Sequence, residues 1–167
     1  MGHVLEVDNI VKQYGKSKKN SGAATLALAG VSFFVDAGEF VAIMGPSGSG
    51  KSTLLNCIST IDAPTSGSIR VAGRDVTKMR GGELAKFRRD QLGFIFQDSN
   101  LLDTLTVREN ISLALTIQKK PTSEIPLMVN EIATRLGIAE ILEQYPYQIS
   151  GGQKQRAAAA RAVITKP

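Results

Sequence analysis

The chain has 167 residues, 43% of them apolar and 21% charged, a balance that excludes a disordered or fibrous protein and lets one domain bury a core without disulfides or a structural metal. Lys and Arg outnumber Asp and Glu by 20 to 15, an excess that admits nucleic acid, an anionic membrane face or a phosphorylated ligand without choosing among them. A lone cysteine, Cys57, excludes an internal disulfide and points to a reducing compartment.

The charge-free run Ser21–Val35 is shorter than the ~18 apolar residues of a membrane-spanning helix and is interrupted by Ser, Thr and Gly. Glu6 and Asp8 stand where a signal peptide would carry its apolar centre. Membrane association is therefore expected to come from a partner.

In chain order, Val4–Val11 alternates loosely and predicts a strand. The polar stretch Lys16–Gly22 predicts a loop, with Lys16, Lys18 and Lys19 at a solvated tip. Leu26–Val35 is rich in β-branched and aromatic residues and predicts a second strand, closed by a turn at Ala37-Gly38. Phe40–Met44 is wholly apolar, the pattern of a parallel strand buried on both faces. A helix is expected from Gly50 to Ser59, a strand over Ser68–Val71, and a basic helix over Gly82–Gln91 with Lys86, Arg88 and Arg89 on its outer face. Phe94–Phe96 is again strand-like.

After Gln97 the pattern turns helical. Thr106 and Glu109 form a capping box that opens a helix running to about Gln118. Ile125, Val129, Ile132 and Leu136 recur at helical spacing, with Pro126 in the first turn where it is tolerated. Ile138–Gln144 is a candidate third helix. Cys57 is expected to be a small packed core residue.

Two motifs carry chemistry. Gly45, Pro46, Ser47, Gly48, Ser49, Gly50, Lys51 and Ser52 match G-x-x-x-x-G-K-[ST] in full, between an apolar run and an expected helix. Glycines let the backbone wrap phosphate oxygens, and the amides from Gly48 to Thr53 form an anion nest at a positive helix end. Lys51 supplies charge to the β- and γ-phosphates, and the Ser52 hydroxyl is a hard ligand for Mg²⁺. The second motif is Ile149-Ser150-Gly151-Gly152-Gln153. Ser150 and Gln153 make another capping box. Two glycines in a first turn cost roughly 1 kcal/mol each, but they bare amides suited to a phosphate. The small residues Ala157–Ala160 that follow suit close packing against a sheet.

With Phe96-Gln97-Asp98 and Tyr14 in its VKQYG context, these motifs make the chain resemble the ATP-binding subunits of ABC transporters over essentially its whole length. Gly45–Thr53 looks like their Walker A and residues 149–156 like their signature, with Ile149 where Leu is usual. Gln97 falls in their Q-loop, and Tyr14 at their A-loop aromatic. The nearest group serves lipoprotein release, macrolide export and bacitracin-type peptide resistance. The segment around Asp103 resembles the peptide-antibiotic-resistance branch.

The resemblance implies an α/β P-loop NTPase fold of ABC type: a mixed sheet core with an antiparallel β-subdomain and a helical insert. Core residues would be 1–97 and 150–167, and the helical subdomain about 98–149. Tyr14 would stack on adenine. Gln97 would contact Mg²⁺ or the attacking water. Ser150, Gly151, Gly152 and Gln153 would bind ATP held by a second copy, in a head-to-tail dimer with two shared nucleotides. The implied partners are ATP, that second copy and an integral-membrane permease, with no nucleic acid, and the implied location of the chain is peripheral, at the cytoplasmic face of the membrane. Leu101, Leu102 and Leu105 read equally as core or as part of a permease-receiving groove.

The family pattern continues with an apolar strand ending in Asp-Glu (Walker B), a D-loop and a switch histidine. No four apolar residues followed by Asp-Glu occur in this sequence, and the sole histidine, His3, is out of order for that role. The reading is therefore a C-terminally incomplete ATP-binding domain that hydrolyses ATP at background rate. A catalytically inactive nucleotide-binding fragment, a DNA-repair ATPase and a ribosome-associated ATPase are the alternatives. The short spacing between the motifs, without sustained heptads, disfavours the DNA-repair class.

Overall fold

The computed structural model describes residues 2–15 and 24–167. The expected loop Lys16–Gly22, with Lys16, Lys18 and Lys19, lies outside the described residues. The chain divides into two compact units, residues 1–84 and 85–167.

In the first unit, strands β1 (Leu5–Tyr14), β2 (Thr25–Val35), β3 (Ser66–Val71) and β4 (Arg74–Asp75) form an antiparallel sheet in the order β2-β1-β3-β4. Apolar side chains on one face supply the core, with Val7, Ile10, Leu28 and Ile69 buried. The β1 ladder is interrupted at Asn9, whose φ is +47° and whose amide donates to Ser32 Oγ at 2.8 Å. Gly67 passes beside this bulge so closely that a Cβ would strike the Asp8 and Asn9 carbonyl oxygens. Helix α1 (Lys51–Ile58) buries Leu54 and Cys57.

Helix α2 (Gly82–Gln91) spans the expected residues. In the second unit, α3 (Val107–Ile117), α4 (Ile125–Arg135) and α5 (Gly151–Val163) enclose an apolar core. Val107, Ile111 and Leu115 of α3 meet Val129 and Ala133 of α4 and Ala157 and Ala160 of α5. The Thr106 box is formed: Glu109 N donates to Thr106 Oγ1 at 3.2 Å, and Thr106 N to Glu109 Oε2 at 2.8 Å. Pro126 lies in the first turn of α4.

Several expectations are corrected. Phe40–Met44 and Phe94–Phe96 are not strands. Phe40 is 98% exposed and Met44 87%. An apolar run becomes a strand only when neighbours complete its ladder, and the sheet among the described residues contains no parallel pair. The alanines of α5 pack on helices rather than on a sheet, because small side chains allow close approach to either. Ile138–Gln144 condenses to a 3-10 turn at Ala139–Ile141. Leu101 packs on the helical core whereas Leu102 is 47% exposed, so the core reading holds for Leu101 and not for Leu102.

Candidate functional site

The phosphate-loop motif folds as its composition dictates. Gly45, Gly48 and Gly50 have φ of +155°, +80° and +90°, the last two in the region that β-carbons disfavour. Gly50 is the N-cap of α1 and offers no capping side chain. The helical ladder starts with Leu54 N donating to Gly50 O at 2.8 Å, so the amides of Lys51, Ser52 and Thr53 precede it. Unlike α3 and α5, this helix start is left to an outside acceptor. Lys51 Nζ bridges back over the loop, donating to Gly45 O at 2.9 Å and Pro46 O at 2.7 Å, with Ser49 Oγ at 3.4 Å. An ammonium so placed spans the loop and holds its turn closed.

These residues border a cleft of about 310 Å³ lined by Thr25, Leu26 and Ala27 of β2 together with Ser47, Gly48 and Gly50–Thr53. Its donors are amides, hydroxyls and one ammonium, a set matched to an anion with several oxygens. Among the described residues no cluster of three His, Cys, Asp or Glu could hold a metal. Ser52 is a hard hydroxyl ligand in the right place, so Mg²⁺ fits here only as a companion of bound phosphates.

Tyr14 ends β1 and pairs with Thr25, which lines the cleft. Its ring is 42% exposed. Its hydroxyl donates to Asp62 Oδ2 at 2.8 Å, while Lys12 Nζ lies 4.8 Å from the ring centroid. The hydrogen bond to Asp62 is the main cause raising the Tyr14 phenol above its ordinary pKa, and the Thr53 side chain acts in the opposite sense. Lys12 Nζ donates to Asp62 Oδ1 and to Ala63 O, both at 2.6 Å. Chiefly through Lys12, and also through Tyr14, the Asp62 carboxyl is held below the usual carboxylate range. Sequence reasoning missed Lys12 and Asp62. Lys12 carried a signal, since it shares a strand face with Tyr14 two residues on; Asp62 carried none.

In the second unit, Gln97 sits exposed in a turn rather than at a strand end. Its carbonyl accepts a short hydrogen bond from Gln155 Nε2 of α5. Arg161, also on α5, donates to Ser99 O at 2.9 Å and Asn100 O at 2.7 Å. Ser99 and Asn100 both have positive φ, and the guanidinium braces that bend. Burial pulls Arg161 below its ordinary pKa. Nothing local in the sequence marked Gln155 and Arg161 as supports of Gln97.

Ser150 and Gln153 form the expected reciprocal cap: Gln153 N donates to Ser150 Oγ at 3.3 Å and Ser150 N to Gln153 Oε1 at 2.9 Å. The cap uses a lone pair of the hydroxyl and leaves its O–H available as a donor. Lys154 N makes the first helical bond, to Ser150 O, so the Gly151 and Gly152 amides precede it. A Cβ at either glycine would meet nothing within 4 Å. Intramolecular packing therefore gives no reason for two glycines that weaken the helix.

Residues 28–167 match the family model described as ABC transporter. The chain is 53% identical over 164 residues to the bacitracin export ATP-binding protein BceA of Halalkalibacterium halodurans, covering 98% of this chain and 63% of the relative. It is 51% identical over 167 residues to the ABC transporter ATP-binding protein YxdL of Bacillus subtilis, covering 100% of this chain and 63% of the relative. The chain thus spans just under two thirds of the length of these relatives. Among solved structures, a dimeric post-hydrolysis state of the ATP-binding cassette MJ0796 bound to ADP and Pi superposes with a TM-score of 0.88 at 36% identity, over 98% of this chain and 70% of that one. From the match over most of its length, the chain belongs to the ABC transporter ATP-binding family.

Proposed function

We propose that this chain is the nucleotide-binding part of an ATPase subunit that powers an ABC-type membrane transporter, one that exports or detaches antimicrobial peptides. The observation that carries the nucleotide reading is the cleft beside α1. There a left-handed glycine cap, uncapped amides, hydroxyl side chains and a lysine that straddles the loop converge. The peptide reading is supported by the likeness to a bacitracin export protein.

In this reading Gly45–Thr53 hold the triphosphate and Tyr14 stacks on adenine. Lys51 releases a loop carbonyl to meet the β- and γ-phosphates. Ser52 would hold Mg²⁺, which when bound would neutralise charge on the phosphate oxygens. Ser150, Gly151, Gly152 and Gln153 receive the γ-phosphate of ATP on a second copy, through the free Ser150 O–H and the two glycine amides. The chain would sit peripherally at the cytoplasmic face of the membrane, against an integral-membrane permease, and no described helix is long and apolar enough to cross that membrane itself. Our division into a core (1–97 and 150–167) and a helical subdomain (98–149) goes with this reading. A polypeptide of these 167 residues contains no apolar strand ending in Asp-Glu. Without a carboxylate base of that kind, worth roughly 10²–10⁴ in rate, it binds ATP and turns it over at background.

Calorimetric titration of the chain with MgATP tests the binding: heat is expected, and Lys51→Ala should abolish most of it. A phosphate-release assay beside it tests turnover, and robust release would overturn the inactive reading. Loss of ATP-dependent dimerisation in Ser150→Arg, with binding retained, tests the shared site. Co-purification with a multi-spanning permease, rather than with DNA or ribosomes, separates the transporter reading from its alternatives.

A further inference from the structure

Lys12, Tyr14 and Asp62 form a closed set at the side of the cleft. Lys12 is only 9% exposed, and its ammonium donates to Asp62 Oδ1 and Ala63 O at 2.6 Å each. It lies over one face of the Tyr14 ring at 4.8 Å. The two oxygens of Asp62 thus serve two partners, Lys12 and the Tyr14 hydroxyl.

The backbone of Asp62 is fixed in turn to the helix that begins at the phosphate loop. Asp62 N donates to Asn56 O of α1 at 3.1 Å, as Ile61 N does at 3.0 Å. From the other side, Thr65 N donates to Val11 O at 2.8 Å, and Gln13 N donates to Thr65 Oγ1 at 3.0 Å. A continuous chain of short contacts therefore runs from α1 through Asp62 to an aromatic ring that would otherwise swing at a strand end.

We propose that Asp62, with Lys12, is a positioning residue for the nucleotide base: it fixes the Tyr14 ring, 42% exposed with Lys12 over one face, at a set distance from α1. This rests on the proposed reading in which Tyr14 receives the base. An exposed tyrosine held by neither partner would have to be immobilised when the base arrived, a cost that weakens binding. Holding it beforehand removes that cost from base binding alone. The phosphates, gripped by the loop and Lys51, do not depend on it.

The test compares MgATP with magnesium tripolyphosphate, which has the same anionic tail and no base, as ligands of the full chain. In Asp62→Asn and in Tyr14→Phe, which keeps the ring and loses the hydroxyl that meets Asp62 and the Thr53 side chain, ATP affinity should fall about three- to ten-fold, the cost of ordering one side chain. Tripolyphosphate affinity should stay within twofold of wild type. The double variant should bind ATP no more weakly than the worse single variant, because both remove one interaction. The inference is overturned if Tyr14→Phe binds ATP like wild type, if both ligands weaken in parallel, or if the two substitutions multiply. A wild-type chain that binds tripolyphosphate and ATP equally would instead sink the stacking reading itself. Tyr14→Ala separates that case, since it should cost ATP affinity more than Tyr14→Phe whenever the ring is used.

Discussion

Replacing Gly50 with alanine is the sharpest probe of the phosphate loop. Gly50 has φ +90° and ψ +5°, and an added Cβ would lie 2.5 Å from Ala27 O and 3.1 Å from Leu28 Cδ2. The left-handed backbone alone costs an L-residue about 1–2 kcal/mol. The clash falls on a backbone carbonyl of β2, which cannot rotate away as a side chain can, and overpacking of this kind costs about 1–3 kcal/mol. At about 4–8 °C per kcal/mol for a unit of this size, melting of the unit formed by residues 1–84 should fall by roughly 10 °C or more. If the loop instead moves outward to relieve the clash, the Lys51–Thr53 amides leave their positions and MgATP affinity falls at least about tenfold. Gly48→Ala is the internal control. Its φ is +80°, but a Cβ there would meet nothing within 4 Å, so it should show the backbone cost only. Differential scanning fluorimetry and calorimetric titration read both quantities. The reasoning fails if Gly50→Ala melts no lower than Gly48→Ala and binds MgATP like wild type.

Asn110 is fully buried; its Oδ1 accepts from Leu102 N at 2.8 Å, and its Nδ2 donates to the carbonyls of Leu102, Leu105 and Thr106 at 3.0 Å each. The isosteric Asn110→Asp should therefore destabilise the helical unit by about 3 kcal/mol or more at pH 7, with partial recovery as the carboxyl protonates; a neutral effect in urea unfolding would contradict this. Cys57 is 1% exposed, and burial raises its thiol pKa, so alkylation at pH 8 should be slow in the native chain and rapid in urea; equal rates would show that the Cys57 face of α1 is not buried. Asp62, Asp75 and Asp90 are held below the usual carboxylate range by Lys12, Thr77 and Arg89 respectively. Their folded values lie below the unfolded ones, so their stabilisation is present above about pH 4 and fades as pH falls through the depressed values. Melting should be insensitive to these groups from pH 7 to 5 and drop below about pH 4. Asp62→Asn should flatten part of that drop, and an unchanged slope would remove Asp62 from the account.

The legible parts of this sequence were those with local causes. The Thr106–Glu109 and Ser150–Gln153 boxes fix two helix starts within four residues. The glycine-lysine loop fixes a third, and Pro126 fits the first turn of α4. The short strand β4 escaped notice because it is made by the turn at Ala72-Gly73, both with positive φ, and not by apolar alternation. Phe40–Met44 and Phe94–Phe96 misled for the opposite reason. Their composition is that of strands, but a strand is a property of at least two segments, and the ladder partner is not visible in the run itself. At the site, motif residues were readable one by one. Their supports were not: Asp62 reaches Tyr14 across 48 residues and Arg161 reaches Ser99 across 62.

The sequence by itself determined the candidate chemistry, because the phosphate recognition we propose uses backbone amides and a few side chains at fixed local spacing, and that spacing survives in one dimension. Tertiary structure alone decided how those groups are held. Only folding brings α1, Lys12 and Asp62 to one tyrosine, or α5 to the turn at Gln97. Hydrogen bonds between segments far apart in the chain depend on packing of the whole unit, and no short stretch of residues encodes that.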